Sequence, residues 1–128
     1  MRIQLKKFIE SMEPNSIAII PAAHEVTRSY DSEFKFRQDS DFWYLTGFPE
    51  PDAIAVIDPS SKKPYTLYVR PRDPLMETWY GRRQGVEGAV KNYGADRAFS
   101  VERFGADMAK LLDGKDTLYY RFSVDRNL

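Results

Sequence analysis

The sequence predicts an α/β domain of layered, three-layer-like type, with one mixed sheet flanked by helices. Two kinds of segment point to it. "SIAIIPA" and "DAIAVID" are continuous apolar runs, the mark of strands buried on both faces. Other segments repeat apolar residues at i, i+3, i+4 and i+7, the period of a helix with one buried stripe. Strands alternating with amphipathic helices bury both kinds of surface when helices cover a sheet.

In chain order, Leu5, Phe8, Ile9 and Met12 form one helical stripe over residues 2–12, which Pro14 and Asn15 end. "SIAIIPA" follows as a strand. "DSDFWYLTG" has an acidic start and a glycine stop, so it predicts a helical turn capped by Asp39 or Ser40, ending near Gly47, with Phe42 or Trp43 buried. "DAIAVID" and "YTLYVR" flank the turn formers "PSSKKP" and make a hairpin. The segment "PRDPLMETWYGRRQG", dense in Pro, Gly and Arg, reads as loop. Val86, Ala89, Val90 and Tyr93 form a second stripe, closed by Gly94. A short strand at Ala98 and Phe99 precedes a helix capped by Ser100, with Val101, Phe104, Met108, Leu111 and Leu112 inward and Gly114 as stop. "TLYYRF" is the last strand. No internal boundary divides residues 1–128, which read as one domain.

Composition narrows the function classes. Hydrophobic residues are 42% and charged residues 30%, a globular balance rather than a disordered one. Nineteen basic residues match nineteen acidic ones, so no net field favours nucleic acid or an anionic membrane. Cysteine is absent, which excludes disulfides and thiolate metal sites. The start "MRIQLKKFIESM" lacks the long apolar stretch of a secretory signal, so a cytoplasmic location is expected.

Four constellations carry possible chemistry, each beside a plainer reading. His24 is the lone histidine; a metal site needs several converging donors, so a loop histidine is expected. Asp39 with Asp41, and Glu50 with Asp52 about Pro51, are paired carboxylates of the kind that perform acid–base work, but the start of "DSDFWYLTG" also suits helix capping. Phe42, Trp43, Tyr44, Leu45 and Phe48 resemble a base-stacking platform, yet the basic groove it needs is absent and core packing accounts for them. Arg82 and Arg83, after Trp79, are suited to grip a carboxylate or a partner surface, or to sit in water as an ordinary loop. No phosphate loop, nucleophile elbow, H-E-x-x-H or G-x-G-x-x-G occurs. The residues alone therefore describe an α/β domain without a self-sufficient catalytic set.

The ordered strings "HEVTRSYDSEFKFRQ" and "FRQDSDFWYLTGFPEPDA", followed by "ETWYGRRQG", resemble the amino-terminal domain of bacterial Xaa-Pro aminopeptidases (aminopeptidase P, of the creatinase/prolidase-like family). The match runs from Glu25 to Ala53 and from Glu77 to Gly85. The resemblance implies a creatinase-like α/β domain whose full-length enzyme is a metallopeptidase that removes the residue preceding proline, with two manganese ions held in a carboxy-terminal "pita-bread" domain. That catalytic domain is expected beyond residue 128, so neither catalytic residues nor metal are expected in this chain. The resemblance further implies a homo-oligomer and a domain that helps wall the active site, in part that of a neighbouring subunit. Carried over on the matching strings, Trp79 is the pocket candidate, expected to be exposed; Asp31 is a second candidate, with Arg82 and Arg83 beside them. Two alternatives stay open: the same domain of a prolidase, which cleaves only Xaa-Pro dipeptides, and a stand-alone binding module built on Trp79, Arg82 and Arg83.

Overall fold

The computed structural model describes residues 2–24 and 37–120. The first helix, α1 (Ile3–Ser11), buries Leu5 and packs Phe8 and Ile9 against the core. Strand β1 (Ser16–Pro21) follows, then helix α2 (Ser40–Thr46) and the hairpin β2 (Ile54–Ile57) and β3 (Tyr65–Val69). Helices α3 (Pro74–Tyr80) and α4 (Gly85–Tyr93) lead to β4 (Arg97–Ser100). A 3-10 turn (Val101–Arg103), helix α5 (Phe104–Leu112) and strand β5 (Thr117–Tyr120) complete the described chain.

The five strands form one mixed sheet in the order β4-β3-β2-β1-β5. The hairpin is antiparallel, with Ala55 opposite Leu67, and β1 pairs antiparallel to β2, with Ile19 opposite Val56. The outer pairs, β3 with β4 and β1 with β5, are parallel. Alternation along each strand divides the core. Ala18, Ile20, Ala55, Ile57, Leu67 and Val69 meet α1, α2 and α4 on one face. Ile17, Ile19, Val56 and Tyr68 meet Phe104, Leu111 and Leu112 of α5 on the other. The result is the three-layer α/β arrangement expected from the sequence. The central strands are covered on both faces, while β5 at the sheet edge leaves Leu118, Tyr119 and Tyr120 exposed.

Several local expectations are met, and two are corrected. Asp39, not Ser40, caps α2: its carboxylate accepts the Phe42 N–H at 3.0 Å, and Gly47 ends the helix in the left-handed region. Ser100 accepts the Glu102 N–H as foreseen. The first correction is α3, which the sequence reads as loop. Asp73 caps it, accepting the Met76 N–H, and Pro74 occupies the first turn, where a missing N–H costs nothing. The prolines that suggest a loop are thus punctuation at a helix start. The second is Val90, which is exposed: the buried stripe of α4 runs through Val86, Ala89 and Tyr93. On α5 and the turn before it, Val101, Phe104, Leu111 and Leu112 face inward as expected, partly buried against the second core cluster.

Candidate functional site

The segment around α2 is built as architecture. Phe42 is fully buried and meets Phe48 edge-on with ring centroids 6.4 Å apart; Phe48 in turn meets Tyr93 at 5.0 Å. Trp43 points out, 48% exposed, with the Arg2 guanidinium 5.9 Å over its ring and donating to its carbonyl at 2.9 Å. Gln38 uses both ends of its amide. Its Oε1 accepts the Ala23 and Asp39 N–H groups, and its Nε2 donates to the Phe48 and Glu50 carbonyls. Nothing in the sequence singles out Gln38. A glutamine beside a capping aspartate carries no pattern that announces a four-way bridge.

The paired carboxylates have separate employments. Asp39 caps α2. Asp41 lines an apolar cleft with Phe8, Ile20, Tyr44, Leu45, Tyr119 and Tyr120. Glu50 contacts Arg70 at 3.2 Å and accepts the Gln84 N–H at 2.7 Å. The Asp52 carboxylate accepts from His24 Nδ1 at 2.7 Å, and His24 is an exposed loop residue, as expected. Among the described residues, no group of three or more His, Cys, Asp or Glu side chains could hold a metal ion.

The second motif gathers around α3. Leu75, Met76 and Trp79 lie three and four residues apart, so they share a helix face. All three are exposed, Trp79 by 77%. Opposite them the Glu77 side chain, only 7% exposed, turns inward. It accepts from Arg72 Nε at 2.9 and 3.0 Å, from the Asp73 N–H at 2.8 Å and from the Arg83 N–H at 2.8 Å. The hydrogen bonds from Arg72, with those from the Arg83 and Asp73 backbone, outweigh burial and hold the Glu77 carboxyl down at about 2. Gly81 ends α3 at φ 100, ψ 161, a conformation open only to glycine, and this lets the chain double back so that Arg83 reaches Glu77.

The two arginines part company there. Arg83 is half-buried and donates to the Pro71 carbonyl at 3.1 Å, so its guanidinium serves the domain. Arg82 is exposed and lines a shallow cleft with Arg72, Pro74, Glu77 and Thr78. Trp79 is exposed as expected, although it stands on a helix rather than a loop. Asp31 lies outside the described residues, as does the string from Glu25 to Phe36.

This pairing of an α2 segment locked by Gln38 with an outward tryptophan on a clamped helix can be compared with known proteins. The family model for "Aminopeptidase P, N-terminal domain" matches residues 2–119. The chain belongs to the aminopeptidase P amino-terminal domain family. Among curated proteins, this aminopeptidase P domain is 45% identical over 114 residues to the Xaa-Pro aminopeptidase of Escherichia coli, a match that covers 88% of this chain and 26% of the relative. It is 37% identical over 99 residues to human Xaa-Pro aminopeptidase 3, covering 72% of this chain and 19% of that protein. Among solved structures, aminopeptidase PepP of Pseudomonas aeruginosa superimposes with a TM-score of 0.87 at 45% identity, over 95% of this chain and 28% of that one. Escherichia coli aminopeptidase P with the inhibitor Pro-Leu gives 0.84 at 42%, over 94% and 28%. The aminopeptidase P domain described here thus spans about a quarter of the length of these bacterial relatives.

Proposed function

We propose that this chain is the non-catalytic amino-terminal domain of a dimetal Xaa-Pro aminopeptidase, a cytoplasmic homo-oligomer, and that it supplies a wall of the peptide pocket through Trp79. The observation that carries the reading is the outward Trp79 on α3, in a domain 45% identical to the matching part of the Escherichia coli enzyme. A large indole held in water by its own domain is accounted for by a surface it covers elsewhere in the assembly.

The chemistry divides accordingly. A proline in the second position of a peptide makes a tertiary amide with no N–H and a fixed φ. An enzyme for such substrates loses a hydrogen bond that other aminopeptidases use, and it must compensate through a restricted, preformed pocket. A rigid aromatic wall does that by positioning. The described residues do not suit the manganese ions of such an enzyme, whose ligands belong in this reading to a catalytic domain that follows residue 128. In the same reading Leu118, Tyr119 and Tyr120, exposed on β5, lie beneath the rest of the protein.

The experiment uses the complete protein that contains this chain, assayed on an Xaa-Pro dipeptide and on a tripeptide with proline second. Release of the first residue from the tripeptide, lowered by Trp79→Ala, is expected. Cleavage of the dipeptide alone would make it a prolidase; no cleavage of either would leave a binding module and overturn the proposal.

A further inference from the structure

Helix α3 carries the exposed Trp79, yet Leu75 and Met76, its other large apolar side chains on that face, are also turned to water, 73% and 40% exposed. Among the described side chains of α3, the one turned into the domain is Glu77. Its two oxygens divide their work. Oε2 takes the N–H of Asp73, the residue that caps the start of the helix, and Oε1 takes the N–H of Arg83, beyond its glycine end. Both also receive Arg72 Nε. A single carboxylate therefore ties together the chain entering α3 and the chain leaving it. That knot is in turn fixed to the sheet. Gln84, next to Arg83, donates its N–H to Glu50, and Glu50 pairs with Arg70, which follows directly on β3. A helix of seven residues is too short to be stable alone, so its direction is set by what holds its ends.

We propose that Glu77 is a positioning residue for the peptide pocket: its carboxylate fixes the orientation of α3 and thereby the place at which Trp79 stands. This rests on the reading of Trp79 as a pocket wall. Glu77 touches no substrate. It acts on turnover through Trp79 alone, because a single residue, Thr78, separates the clamp from the indole on the helix and a displacement of about 1 Å in a positioning group lowers rates by as much as ~100-fold. The requirement is specific to a carboxylate. A glutamine of the same shape offers one acceptor oxygen and turns an NH2 group towards one of the two backbone donors, so it keeps one tie and loses the other.

The test uses the complete enzyme with Trp79→Ala, Glu77→Gln, and the two combined, read by kcat/KM on a tripeptide with proline second and by hydrogen exchange of the peptide covering residues 72–84. Expected are a fall of roughly tenfold or more in kcat/KM for each single variant, no further fall in the double variant, and faster exchange confined to residues 72–84 in Glu77→Gln. Where Glu77→Gln does not fold, Glu77→Asp, too short to span both backbone donors, is read by the same criteria. Wild-type kinetics in the Glu77 variant beside an impaired Trp79→Ala overturns the positioning role while leaving the pocket wall standing. Losses that multiply in the double variant also overturn it, since Glu77 would then act by another route. Wild-type kinetics in Trp79→Ala removes the pocket wall itself, and the positioning role with it.

Discussion

The carboxylate of Glu50 accepts the backbone N–H of Gln84 at 2.7 Å, across 34 residues of chain. Its other oxygen meets Arg70 at 3.2 Å, and both side chains of that ion pair are largely shielded from water. The exit of α2, the end of β3 and the start of α4 are thus joined at one charged group. Glu50→Ala removes the acceptor and leaves the Gln84 N–H and the Arg70 guanidinium without their carboxylate. Loss of a shielded charged partner should cost about 2–4 kcal/mol. Thermal denaturation should show a drop in Tm of roughly 10 °C, and an unchanged midpoint would show that water replaces the carboxylate freely.

Adjacent aromatics in α2 should respond oppositely. Phe42 is fully buried between Phe48 and the sheet, so Phe42→Ala opens a cavity and should cost about 3–5 kcal/mol. Trp43 contributes a surface contact with Arg2, so Trp43→Ala should cost under about 1 kcal/mol. Urea unfolding of the two variants side by side decides the matter. Equal losses would contradict the opposite orientations of the two rings.

Trp79→Ala should leave the stability of the domain within about 0.5 kcal/mol of wild type, since the indole fills no space in its own domain. Turnover by the complete enzyme should fall. Unfolding of the variant, with normal kinetics in what stays folded, would make Trp79 a structural residue.

Acid should act through Glu77 and Asp58. The Glu77 carboxyl falls from 4.5 to about 2 on folding, chiefly through the hydrogen bonds from Arg72. Asp58 is also lowered: burial opposes the shift, but the hydrogen bonds from Lys115 and Ser60 prevail. A carboxyl with a depressed folded value stabilises fully above its unfolded value and loses that contribution as pH falls through the folded one. The Glu77 contribution should therefore be complete above pH 4.5 and fade towards about 2. Urea unfolding at pH 6 and pH 3 should show wild type losing more stability than Glu77→Gln, whose amide does not titrate in this range. Parallel losses in the two proteins would place the acid response elsewhere.

The sequence by itself determined the elements whose residues bury an apolar stripe or run: α1, α2, α4, α5 and the five strands were legible because their periodicity is written in consecutive residues. It also determined the family, since long ordered strings with a second motif at a set distance are specific where short motifs are not. Tertiary structure decided the rest. Strand order, with β1 between β2 and β5, depends on which faces pack best after the chain has folded back. Helix α3 was hidden because its stability comes from Asp73, Glu77 and Arg83 meeting around it, and not from an apolar face packed on the core. Gln38, Glu50 and Glu77 read as ordinary polar residues in the string. Their roles are set by partners up to 34 residues away, and a hydrogen bond of that reach has no local pattern, because its geometry exists only once the sheet has brought the loops together.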